Sequence, residues 1–212
     1  LSLRAQDGVS YTFQVWASDV AGNVSTISSA STAVALSKTV VINEIAWMGT
    51  TASFTDEWFE LYNATNATVD LAGWRLAADD GSPIIEFPQG KSITANGYFI
   101  LERTDDTTIF NMPADIIYTG ALGNGGEILR LYDAENNLID IVDASSDWFF
   151  GDNITKRSME RIDTAKGGSD PTNWASNNLI KYNGKDSANN WINGTPGQIN
   201  SIATSLTIIA DS

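Results

Sequence analysis

At 212 residues, 42% hydrophobic and only 18% charged, the chain has a globular composition and enough length to bury a sizeable core. A formal net charge of -14, with 12 Lys and Arg in all, argues against nucleic acid and anionic membrane surfaces, because neutralising phosphates needs clustered cations. The absence of Cys and His excludes thiol nucleophiles, Cys/His zinc sites, imidazole bases and His-dependent serine triads.

Leu1 opens directly in strand-like sequence without a basic leader, and no apolar run approaches a membrane span, so the chain reads as a fragment of something longer. Tyr11, Phe13 and Val15 alternate with Thr12 and Gln14, the period of a half-buried strand. Asp19-Val20-Ala21-Gly22-Asn23 supplies a turn, and Val24 to Leu36 a Ser- and Ala-rich return strand. This hairpin resembles the last two strands of a fibronectin type III or bacterial immunoglobulin-like domain, a resemblance that makes Tyr11 a tyrosine-corner residue. Residues 1–38 are therefore expected to end an upstream domain, since two strands alone are marginal.

A new strand pattern begins at Val40. Strands are predicted over Val40 to Trp47, Glu57 to Asn63, Val69 to Ala77, Ile84 to Phe87, Tyr98 to Arg103, Glu127 to Asp133, Leu138 to Val142 and Arg157 to Ile162. Turn residues separate them at Asp79-Asp80-Gly81-Ser82-Pro83, Ala95-Asn96-Gly97, Gly123-Asn124-Gly125-Gly126 and Ala134-Glu135-Asn136-Asn137. Residues 97–102 are apolar on both faces, as in a central strand. No window shows a helical face, so the expected fold is all-β, an antiparallel sandwich over 39–165. Residues 166–201 are Gly-, Asn- and Asp-rich yet hold Trp174, Tyr182 and Trp191, which suggests an extended irregular tail pinned to the same domain. Residues 202–212 read as a connector or the start of a further strand.

Several side chains invite a functional reading. Glu44, Glu57 and Glu60 lie on or beside early strands and suggest an acid/base pair; the simpler account has them bonding backbone or pairing with Arg75 or Arg103. Asp79, Asp80, Asp105 and Asp106, with Asp143, Asp147 and Asp152, put oxygen ligands on loops, and calcium is the one cation they suggest. No segment has the spacing of a dedicated calcium loop, so solvated turn carboxylates are the simpler account, and no other cofactor is expected. Trp148-Phe149-Phe150, between Asp147 and Gly151, suggests an exposed aromatic platform for a sugar or protein, whereas Trp58 and Trp74 sit in strands and read as core. Sequons begin at Asn23, Asn63, Asn66, Asn153 and Asn193 and do not decide the source.

Val41-Ile42-Asn43-Glu44-Ile45, Glu57-Trp58-Phe59-Glu60-Leu61-Tyr62-Asn63 and Val69-Asp70-Leu71-Ala72-Gly73-Trp74-Arg75-Leu76 together resemble the lamin-tail domain in its bacterial form. Ala95 to Leu101, the Leu122 to Glu127 turn, Ser158-Met159-Glu160-Arg161, Asp170-Pro171-Thr172-Asn173-Trp174 and Gly194-Thr195-Pro196-Gly197 follow the same pattern in the same order. Met48 to Asp56 departs from it by lengthening the loop after the first strand. The resemblance implies an immunoglobulin-like sandwich with Trp58, Trp74, Gly97 and Trp174 in structural roles. It also implies a non-catalytic attachment to secreted or surface proteins, with neighbouring domains and a protein or polysaccharide of the cell envelope as partners, and no nucleic acid and no membrane insertion.

Overall fold

The computed structural model describes residues 10–33, 39–180 and 182–203. The chain divides into two units, Leu1–Ser37 and Lys38–Ser212. In the first, β1 (Ser10–Val15) pairs antiparallel with β2 (Ser28–Ala33), Val15 opposite Ser28. Asp19 shapes the turn by accepting from the amides of Ala21 and Asn23, both at 2.9 Å, and Gly22 supplies the positive φ of 87°. Phe13, Val15, Trp16, Val24 and Ile27 remain exposed. The Tyr11 backbone pairs with Thr32, and its side chain lies outside the described residues.

The second unit contains β3 (Val40–Ala46), β4 (Trp58–Asn63), β5 (Val69–Asp70), β6 (Arg75–Ala78), β7 (Ile84–Glu86), β8 (Ser92–Ile93), β9 (Tyr98–Arg103), β10 (Ile116–Tyr118), β11 (Ile128–Tyr132), β12 (Leu138–Asp143), β13 (Met159–Arg161) and β14 (Trp174–Ser176). A six-stranded sheet runs β10-β9-β4-β3-β13-β14 and a four-stranded sheet β12-β11-β6-β7; β5 and β8 form a small pair. The two larger sheets make an immunoglobulin-like β-sandwich, all-β as the strand pattern predicts. The strand expected over Val69 to Ala77 is broken into β5 and β6 by a turn at Gly73, φ 77°, which leaves Trp74 just outside both, and two further features lie beyond the prediction. β10 pairs parallel with β9, Ile116 opposite Leu101, and one turn of 3-10 helix, Pro171–Asn173, precedes β14.

The core fills the space between the sheets. Ile42, Ile45, Phe59, Leu61, Phe99, Leu101, Met159 and Trp174 meet Leu76, Ile85, Leu129, Leu131 and Val142, all buried. At the expected turn after Ala95, Asn96 has φ 53°, and a Cβ on Gly97 would collide with Thr94 Oγ1. Trp58 and Trp74 are buried, and Trp174 donates its Nε1 to Gly168 O at 2.7 Å.

A bulge in β3 decides what the outer face of the six-stranded sheet carries. Ile42 stands opposite Leu61, but Glu44 stands opposite Glu60, so Asn43 is the extra residue. That insertion puts Ile42 and Ile45 on the core side with Leu61 and Phe59, and turns Glu44 to the outer side with Glu60. Because Glu160 on β13 is the register partner of Glu44, three glutamates line up across adjacent strands. Such a row normally faces water. Here residues 192–201 lie over it, and all three carboxyls are fully buried.

Candidate functional site

The glutamate row and its roof form the most polar buried cluster of the sandwich. Glu44 Oε1 accepts from the Ser158 hydroxyl and from Thr195 N at 2.9 Å, and its Oε2 lies 3.0 Å from Thr195 Oγ1. Glu60 accepts from Asn43 Nδ2 at 2.7 Å and Gly197 N at 2.6 Å. Glu160 accepts from Asn177 Nδ2 at 2.6 Å, Ser201 N at 2.8 Å and Ser201 Oγ at 2.7 Å, and its Oε1 lies 3.2 Å from Thr195 Oγ1. Asn200 ties the same roof down by donating to Arg161 O at 2.8 Å and Asn43 O at 3.1 Å. Gly194 is required by closeness: a Cβ there would lie 2.5 Å from Glu44 Oε1 and 2.9 Å from both Ser158 Oγ and Trp58 Cζ2. Burial, reinforced by the Glu160 carboxylate, pushes Glu44 up to about 8, and burial beside Glu44 holds Glu60 well above its ordinary value.

Glu57 behaves differently because it has a cation. Arg103 Nη1 lies 2.9 Å from its Oε1, and Leu122 N donates to Oε2 at 2.7 Å. Arg75 instead lies over the Tyr132 ring at 4.5 Å and reaches Asn136, so of the two expected arginine partners Arg103 is the one used. Between the sheets, Arg161 Nη1 bonds Asp140 Oδ2 at 2.6 Å and Ile42 O at 3.0 Å, with neither side chain exposed. Burial raises Glu102 and Glu127 to about 7. Neither Glu102 oxygen has a hydrogen bond of normal geometry, and only the nearby amides of Ile109 and Thr108 temper its rise.

The aromatic platform expected at Trp148-Phe149-Phe150 is corrected by its burial. Trp148 is only 6% exposed, stacks on Trp47 at 6.1 Å and donates Nε1 to Gly123 O at 2.7 Å. Phe149 packs against the core, leaving Phe150 as the exposed ring. A paired set of exposed aromatics lies instead in the tail. Trp191 is 50% exposed, its ring 5.2 Å from Tyr182 and under Lys185 Nζ at 5.1 Å. A groove of about 250 Å³ beside the glutamate row is lined by Asn43, Tyr62, Tyr98, Asp163, Ile199 and Asn200.

The loop aspartates are used locally. Asp79 pairs with Arg130 at 2.6 Å, Asp80 accepts from Ser82 N at 3.0 Å, Asp105 from Thr107 N at 2.9 Å, and Asp106 from Ala114 N at 2.7 Å. Among the described residues no three acidic side chains gather in a way that would hold a metal ion. Glu160, Thr195, Gly197, Ser201 and the Arg161–Asp140 pair are the residues that sequence reasoning left without a role. The available signal is a carboxylate within a strand-like run, plainest at Glu60 between Phe59 and Leu61, with Glu44 before Ile45 and Glu160 after Met159.

The family model of the lamin tail domain matches residues 33–146, more than half of the chain. No curated protein matches the sequence. Among solved structures, a DUF4876 family protein from Bacteroides thetaiotaomicron aligns over 95% of this chain and 85% of its own, at 11% identity and a TM-score of 0.37.

Proposed function

The chain belongs to the lamin tail domain family, and from that membership we propose that it serves as a non-catalytic interaction module of a secreted or surface multidomain protein, contacting a protein or wall polymer of the cell envelope. One observation carries this reading: Glu44 and Glu60, whose raised proton affinity would suit acid/base chemistry, are roofed over with the neighbouring Glu160 and consumed in holding residues 194–201. A cleft enzyme needs such groups facing substrate. The hairpin in residues 1–37 fits the end of a preceding immunoglobulin-like domain, because its exposed Phe13, Val15 and Ile27 need further strands to cover them. Binding assays against fractionated envelope proteins and purified wall polymers test the proposal. Saturable retention of one component supports it, and retention of none counts against it.

The exposed Tyr182–Trp191 pair favours a second reading, a carbohydrate-binding accessory module attached to an extracellular hydrolase or nuclease. Aromatic faces stack on the apolar faces of sugars, and these two rings are already held by Lys185 and by each other. Trp191→Ala is expected to shift the melting temperature by no more than about 2 °C, as a surface change does, while abolishing any glycan-array signal. An array that is silent for the parent chain removes this reading and leaves the first in place.

A further inference from the structure

Glu44, Glu60 and Glu160 stand side by side, and among the described residues no cation pairs with them. The ion pairs among the described residues lie elsewhere, at Arg103–Glu57, Arg130–Asp79 and Arg161–Asp140. Among the described residues the titratable groups facing the row are the carboxyls themselves, from β3, β4 and β13, and Tyr98 from β9. Residues 192–201 carry no charged side chain, and Ser158 and Asn177 are neutral. Three adjacent carboxylates cannot all be ionised in a dry site without a counter-charge.

Hydrogen-bond accounting locates the missing proton. Thr195 Oγ1 lies between Glu44 Oε2 at 3.0 Å and Glu160 Oε1 at 3.2 Å, with Asn200 Oδ1 farther off at 3.5 Å, and has one proton to give. Glu160 already collects three further donors, from Asn177 Nδ2, Ser201 N and Ser201 Oγ. If Thr195 donates to Glu160, the contact with Glu44 is satisfied only when Glu44 brings its own proton. We propose that residues 194–201 are a proton-dependent strap, closed when Glu44 donates through Thr195 to Glu160 and loosened when that proton leaves.

The direction with pH follows. Folded Glu44 keeps its proton to about 8 and a free glutamate only to 4.5. The closed form therefore binds more protons between those values, and closure weakens as pH rises through that window. Without His or Cys, no side chain of ordinary proton affinity titrates between about pH 6 and 9. Because Glu102 and Glu127 also change charge there, the test must read individual residues.

In the full chain with 13C-labelled glutamate, the Glu44 carboxyl carbon is expected to titrate near pH 8. The amides of Thr195, Gly197 and Ser201 are expected to exchange up to about a hundredfold faster at pH 9 than at pH 6, after correction for intrinsic base catalysis, the full weakening that such a shift allows over that range. Glu44→Gln places an amide donor where the acid proton would be, and this variant is expected to keep the strap closed at pH 9. A Glu44 midpoint below about 5.5, strap amides indifferent to pH, or a Glu44→Gln chain that loosens as the parent does would each overturn the proposal. If that variant does not fold, the two measurements on the parent chain decide alone.

Discussion

Arg161→Ala is expected to destabilise the sandwich by about 3–5 kcal/mol, because it removes one partner of a fully buried ion pair. The guanidinium joins β13 to β12 through Asp140 and to β3 through Ile42 O, and it lies 5.7 Å from the Trp174 ring. It thus bonds two strands of one sheet to a strand of the other at a point from which water is excluded. Replacing the pair together with apolar residues of similar volume, Arg161→Met with Asp140→Leu, is expected to restore most of that loss, since the desolvation cost disappears with the charges. Denaturant titration of the two single variants and the double variant separates these terms. A loss below about 1 kcal/mol for Arg161→Ala would mean that water reaches the pair.

Removal of the roof is expected to have an effect at least as large. A chain ending at Trp191 lacks Thr195, Gly197, Asn200 and Ser201, and with them donors to all three glutamates of the row. It also uncovers Trp58, against which Gly194 packs. Hydrogen bonds contribute about 0.5–1.5 kcal/mol each, and more to an ionised acceptor, so with several of them lost and Trp58 uncovered the loss should reach about 5 kcal/mol. The melting temperature should fall by about 10–20 °C relative to a chain ending at Ala203. Equal melting temperatures for the two chains would show that residues 192–203 merely rest on the sheet.

How much of this was legible before the fold is plain from particular residues. Alternation located β4, β9, β11 and β12 closely, and Asn96-Gly97 marked its turn, because strand period and positive φ are local properties. Simple alternation through β3, however, puts Ile42 and Glu44 on one face. The bulge at Asn43 separates them, and nothing in Val41-Ile42-Asn43-Glu44-Ile45 announces it. The roof was illegible for a different reason: Thr195 lies 151 residues from Glu44, and an irregular Gly- and Asn-rich segment has no period to read. Trp148 was misjudged because its polar neighbours Asp147 and Asp152 suggested a surface loop, while the partner that buries it, Trp47, lies on another segment. The lamin tail domain match stops at residue 146, ahead of Glu160 and the whole roof, so the outer cover of this sheet is described by the structure alone.

Residues 192–201 are an integral layer of the domain, held by the glutamate row. Residue-resolved hydrogen exchange at about pH 5, where the row retains its proton, tests it most directly. The amides of Thr195, Gly197 and Ser201, bonded to Glu44, Glu60 and Glu160, are predicted to be protected as strongly as those of Phe59 and Leu61 in β4. Exchange of these three amides at the rate of an unstructured chain, with β4 still protected, would contradict it.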